Sequence, residues 1–155
     1  MAGRIEARLA EFNIALPQAA TPVANYVPYV VSGPLVFLAG QVTVWNGEIR
    51  FVGKLGRDFT VEEGQEAARL CGLNLIAQAR AACEGDLDRV VRCVKLTGFV
   101  NSMPDFTDQP KVMNGASDLM TEVFGESGRH ARAAIGVNTL PLGVAVEVEG
   151  IFEIA

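Results

Sequence analysis

Two side chains near the C-terminal end, Arg132 and Glu147, are the ones best suited to chemistry. An arginine held beside a sheet presents a planar fork that matches a carboxylate ligand. A glutamate in a crevice loses solvation, and its pKa rises toward the range useful for proton transfer. The alternative is structural: the pair forms a salt bridge at an interface, or both charges are simply solvated. His130, the sole histidine, is a further acid/base candidate that titrates near neutral pH, or else a strand-end hydrogen-bonding group. Glu149 and Glu153 share the alternation of Glu147, a spacing that suggests paired-carboxylate work or separate environments along one strand. Cys93 is a reactive thiol if exposed and a small apolar filler if not.

These groups need elements to hold them. Ile5, Leu9 and Phe12 fit a short amphipathic helix over 4–12, and Pro17 and Pro22 make 15–23 an irregular connection. Strands are expected at 26–31 and 35–39 around Ser32-Gly33-Pro34, then at 41–45 and 48–52 around an Asn46-Gly47 hairpin turn. Thr60-Val61-Glu62-Glu63 is a capping box that opens a helix to about Cys83. Residues 90–100 read as a long strand, and Pro110 suits the start of a second helix to Phe124, ended by Gly125 and Gly128. Strands at 131–138 and 144–154 follow, joined by Leu140-Pro141-Leu142-Gly143. This order predicts an α+β fold, a mixed sheet with both long helices packed on one face.

Alternation sorts the strands into faces. Val144, Val146, Val148, Phe152 and Ile154 belong against the helices, which turns Glu147, Glu149, Ile151 and Glu153 outward. In the preceding strand Ala133, Ile135 and Val137 are assigned to the core, and His130, Arg132, Ala134, Gly136 and Asn138 to the open face. In 90–100 the outward set is Cys93, Lys95, Thr97 and Phe99. The short link makes the last two strands neighbours, so Arg132 and Glu147 are expected on one uncovered surface. That surface mixes apolar and charged residues in the manner of a subunit contact, which predicts an oligomer.

Composition narrows the classes. The 155 residues are half apolar and one-fifth charged, the balance of one globular domain spanning 1–155. A net charge of −5 and the lack of a Lys/Arg run argue against nucleic acid as a partner. Cys71, Cys83 and Cys93 are scattered, and with one histidine they make no zinc site, so no metal is expected. No stretch is apolar enough for a bilayer, and residues 1–12 lack a secretory pattern, so no membrane contact and a cytoplasmic address are expected.

The run Ala131-Arg132-Ala133-Ala134-Ile135-Gly136-Val137, then Leu140-Pro141, then Val146-Glu147-Val148-Glu149-Gly150-Ile151, resembles the signature of the RidA/YjgF family, the reactive-intermediate deaminases also known as L-PSP-type endoribonucleases. The likeness extends to Ala39-Gly40-Gln41, to 94–100 and to Asn114, and covers about Tyr26 to the C-terminus. It implies a chorismate-mutase-like homotrimer with a site in each inter-subunit crevice and no cofactor. By resemblance, Arg132 binds a substrate carboxylate and Glu147 positions or activates water. The Gly40 backbone contacts ligand, and Tyr26 and Asn114 line the pocket. The implied reaction is hydrolysis of an enamine or imine of a 2-amino acid to a 2-keto acid and ammonia. The alternatives are a non-catalytic trimer that binds keto acids, and an endoribonuclease. The chain departs from the family at His130, Ala134 and Ala39, where Pro, Cys and Ser are usual. It also carries an added N-terminal helix and a longer 45–58 segment.

Overall fold

The computed structural model describes residues 3–22 and 24–155; Met1, Ala2 and Val23, the last of these part of the expected irregular connection, lie outside the described residues. A five-stranded mixed sheet has the order β1-β2-β7-β5-β6, from β1 (Tyr29–Ser32), β2 (Leu35–Gln41), β5 (Val90–Asn101), β6 (Ala131–Val137) and β7 (Val146–Ile154). β3 (Val44–Trp45) and β4 (Glu48–Ile49) form a separate two-stranded ribbon. Its turn has Asn46 and Gly47 both at positive φ (48° and 87°), as a two-residue hairpin loop demands.

Among the described residues the α-helices are α1 (Arg4–Glu11), α2 (Val61–Ala82) and α3 (Gln109–Phe124). Thr60 accepts a hydrogen bond from the Glu63 amide at 3.2 Å, and the Glu63 carboxylate accepts from the Thr60 amide at 3.0 Å. This reciprocal cap stabilises the start of α2 by about 1 kcal/mol. α2 lies over β2 and β7 and α3 over β5 and β6, so both long helices cover one face and the other is open. Leu75, Ile76, Met113 and Leu119 from the helices meet Val36, Leu96, Val148 and Phe152 from the sheet, all buried. α1 buries Ile5 and Leu9, and the Asp88 carboxylate accepts from the amides of Arg4 and Ile5 at 2.8 Å each, capping it from elsewhere in the chain. Among the described residues no helix is long and apolar enough to cross a membrane.

Three expectations about the sheet are overturned. First, β6 and β7 are not neighbours: β5 runs between them, parallel to β6 and antiparallel to β7. The 140–143 link therefore crosses the end of β5 instead of closing a hairpin. Second, the faces of β6 are the reverse of those assigned from its apolar residues. Ala131, Ala133 and Ile135 are on the open face, Ile135 with 47% of its surface exposed, whereas Ala134 packs against the core. The reason is the close approach of the connection into α3. A Cβ at Gly136 would lie 2.7 Å from Gln109 Nε2 and 3.0 Å from Ser102 Oγ, so this side has room only for Ala134, Gly136 and, at the rim, Arg132. Third, Cys93 is buried because register shifts in β5 between Val90 and Arg92 and between Cys93 and Lys95 rotate it inward. Burial pushes its thiol up to about 12, which leaves it protonated and inert.

Candidate functional site

The site residues singled out from the sequence fall into two groups on opposite sides of the sheet. The first centres on Glu147, whose side chain points to the open face from β7 next to Phe99 of β5. β2 shifts register between Leu38 and Gln41, and this bulge brings Gly40 against the Glu147 carboxylate: a Cβ there would collide with Oε2 and lie 3.0 Å from Cδ. What a side chain at 40 would contest is space and not backbone conformation, since the φ of Gly40 is not left-handed. Glu147 is half-buried and has no hydrogen-bond partner among the described residues. Burial raises its pKa above the ordinary carboxylate value, and the neighbouring charge of Glu149 adds to the rise.

Beside Gly40 opens a cavity of about 500 Å³ between residues 18–22, Tyr26 and Pro28 ahead of β1, the end of β2 and the β3–β4 ribbon. Tyr26, 52% exposed, and Gly40 both line it. Its floor includes Asn74 of α2, which is 1% exposed. The Asn74 amide donates to the carbonyls of Val44 (2.7 Å) and Leu70 (3.0 Å), while its Oδ1 has no partner among the described residues. A buried acceptor without a donor is costly, and a bound donor at this wall offsets that cost.

The second group is built on α3 and the edge strand β6. Arg132 sits opposite Leu96 in the β5–β6 register, on the helix-covered side, and so does not share the face of Glu147. Its Nη1 donates to Asn114 Oδ1 (2.9 Å) and Ser117 Oγ (3.2 Å), and its Nη2 donates to the Pro110 carbonyl (3.2 Å). Every acceptor is neutral, and no carboxylate among the described residues pairs with it. A half-buried guanidinium whose charge has no counter-ion is prepared for an anion, and its Nε–H remains free among the described residues to receive one.

His130 joins the Arg132 group through Ser117. Its Nδ1 lies 2.6 Å from the Gly128 carbonyl and its Nε2 2.9 Å from Ser117 Oγ. Burial lowers its pKa and the Arg132 charge adds to this, against the Gly128 bond, which favours the protonated ring. Thus Arg132, Asn114 and His130 come together, and Glu147, Gly40 and Tyr26 come together, but the groups do not meet within one chain. Glu149 is exposed on the same face as Glu147 and takes no hydrogen bond from it.

Ser117 and Asn74 were not singled out in the sequence. For Ser117 a signal exists, since Asn114 and Ser117 are three positions apart on α3 and so share one side of the helix. For Asn74, one of two polar residues with Gln78 in the buried set of α2, the spacing carries no hint of an unfilled acceptor.

The profile of the family described as "YjgF/chorismate_mutase-like, putative endoribonuclease" matches residues 6–153. The chain is 52% identical over 153 residues to Protein TCP17 of Trypanosoma cruzi, a match that spans 98% of this chain and 95% of that protein. Its fold is similar to that of Atu1372 of Agrobacterium tumefaciens, described as having unknown function (48% identity, TM-score 0.91, 97% and 92% of the chains covered). It is similar as well to a "putative endoribonuclease" of Shewanella oneidensis (38%, 0.94, 98% and 100%). A more distant likeness is to Escherichia coli TdcF, solved with bound serine (26%, 0.61, 90% and 94%).

Proposed function

The chain belongs to the YjgF/chorismate mutase-like family, and on that premise we propose that it hydrolyses an enamine or imine of a small 2-amino acid in a site shared by two copies of itself. Arg132 of one copy anchors the substrate carboxylate. Glu147 of another handles the water and the proton. The observation that carries this reading is the Arg132 guanidinium, half-buried and held by three neutral acceptors with no counter-ion among the described residues. The TdcF structure holds serine, a small molecule with the same kind of carboxylate, which supports an anion of this class.

The division of the residues supports a shared site. Arg132 lies at the β6 edge of the sheet and Glu147 on its open face, so a heterologous contact of one copy's edge with the next copy's face brings them together and closes a ring. A homotrimer is the proposed ring. The open face is suited to such burial, because Val30, Phe37 and Ile135 are large, apolar and exposed there.

The chemistry balances without a cofactor. An enamine accepts a proton on carbon and gives one up from nitrogen, becoming the imine. Water then adds through oxygen to the imine carbon while nitrogen gains a proton. Collapse of the resulting carbinolamine breaks the C–N bond and releases ammonia, with the second water proton moved to nitrogen. A carboxylate whose pKa burial raises is a better proton acceptor than an ordinary one and can return the proton it takes. The endoribonuclease reading rests on the family description and the name of the Shewanella relative, and a net charge of −5 weighs against it.

Ammonia release from an imine formed in situ by an amino acid oxidase tests the proposal. Arg132→Ala and Glu147→Gln are each expected to be inactive, with assembly mass unchanged by light scattering. Refolding them together should restore about a quarter of the parent rate, by random assortment around a closed ring. No recovery in mixed assemblies refutes the shared site, and an active Arg132→Ala protein refutes the anchor. RNA cleavage that is lost in Arg132→Ala, without ammonia release by the parent, decides for the endoribonuclease.

A further inference from the structure

Arg132 is flexible by nature, with a long stem that loses conformational entropy whenever it is fixed. Its fork is nevertheless held by a chain of hydrogen bonds that begins at the backbone. The Gly128 carbonyl can only accept, so His130 Nδ1 carries the proton of that 2.6 Å bond. In the neutral ring Nε2 is then a bare acceptor, and the Ser117 hydroxyl donates to it at 2.9 Å. With its proton committed to His130, the Ser117 oxygen presents its lone pairs to Arg132, whose Nη1 donates to it at 3.2 Å. Each member fixes the direction of the next: carbonyl, imidazole, hydroxyl, guanidinium.

We infer that His130 and Ser117 are positioning residues for Arg132, a relay that orients the guanidinium so that its free N–H edge meets an incoming carboxylate. The inference rests on Arg132 being the anion anchor. Neither residue touches the substrate in this account. A Ser–His pair with an oriented imidazole also has the layout of an activated nucleophile. Here the hydroxyl oxygen is engaged by the guanidinium while its proton is engaged by the imidazole, so the group is committed on both sides. The ring stays neutral under ordinary conditions because burial, and then the charge of Arg132, disfavour its protonation. The relay also gives a role to the departure of this chain from the family pattern at 130, since proline there has no side-chain hydrogen bond to offer.

The experiment is titration of the parent and variants with pyruvate as the probe anion, followed by calorimetry, with urea unfolding of each variant alongside. Ser117→Ala removes the acceptor facing Arg132, and His130→Gln and His130→Phe remove the group that orients it. Each is expected to weaken pyruvate binding roughly fivefold, the worth of one hydrogen bond, with an unfolding midpoint close to that of the parent. The double variant Ser117→Ala/His130→Gln should weaken it no further than one of them alone, because both act through a single chain. Ser117→Thr, which keeps the hydroxyl, should restore parent affinity. Parent-like affinity in Ser117→Ala and in both His130 variants overturns the relay while leaving the anchor intact, provided Arg132→Ala abolishes binding. Pyruvate binding that survives Arg132→Ala overturns the anchor itself, and with it the premise. Losses that add in the double variant, or covalent capture of Ser117 by a fluorophosphonate, overturn the positioning role.

Discussion

Adding one methyl group at Gly40 separates the catalytic and the structural consequences of the contact between β2 and Glu147. A Cβ at this position would overlap Glu147 Oε2 and lie 3.0 Å from Cδ and 3.2 Å from Cγ. Carbon atoms pack at about 3.5–4.0 Å, so Cδ must retreat by roughly 0.5–1 Å. The backbone need not move, because the φ of Gly40 lies outside the left-handed region. The colliding atoms are the end of a flexible side chain, which can yield at a rotamer cost of about 0.5–1.5 kcal/mol. Gly40→Ala should therefore unfold within about 1.5 kcal/mol of the parent. Misplacing a reacting group by about 1 Å costs on the order of 100-fold in rate, or about 2.7 kcal/mol of barrier. Steady-state ammonia release should accordingly show kcat/KM about 100-fold below the parent. In the inactive Glu147→Ala background the carboxylate is gone, and the same substitution should change pyruvate affinity, read by calorimetry, by less than about twofold. A parent-like rate in Gly40→Ala refutes the reasoning. So does a large loss of pyruvate affinity in the Glu147→Ala background, which would mean that the methyl blocks ligand entry instead of displacing the carboxylate.

Two more outcomes follow from the geometry. The raised pKa of Glu147 means that the folded state binds its proton more tightly than the unfolded chain, so the glutamate is least harmful to stability in acid and stability is lost as pH rises through the folded value. Glu147→Gln should have a higher urea midpoint than the parent at pH 7, with the gap narrowing as pH falls toward about 4; a gap that widens in acid contradicts the burial of this carboxylate. Gly115→Ala contrasts with Gly40→Ala, because its Cβ would strike the backbone of Gln65 on α2, overlapping the carbonyl oxygen and lying 2.8 Å from Cα. Main chain cannot step aside, so α2 and α3 must separate and unfolding should become easier by about 1–3 kcal/mol; a shift below about 0.5 kcal/mol in urea unfolding would show that the helices do not approach so closely.

The elements were legible in the sequence because their signals are local. The Thr60 capping box, the Asn46-Gly47 turn and the alternation of Val146, Val148 and Phe152 each depend on residues a few positions apart, and each has its expected structure. The open-face position of Glu147 was legible for the same reason, since its strand is central and its apolar side is packed. The position of Arg132 was not. β6 is an edge strand whose helix-facing side is crowded by Gln109 and Ser102, so small residues lie inward there and Ile135 lies outward, which inverts the usual inference from hydrophobicity. Nor could local pattern reveal that β5 separates β6 from β7, because strand order depends on how a crossover packs and not on the length of the link. The types of the reactive groups are thus a property of the sequence. Their division between two sides of the sheet, and the hydrogen-bonded path from Gly128 through His130 and Ser117 to Arg132, exist only once α3 is laid against β6, since they are made of contacts between residues far apart in the chain.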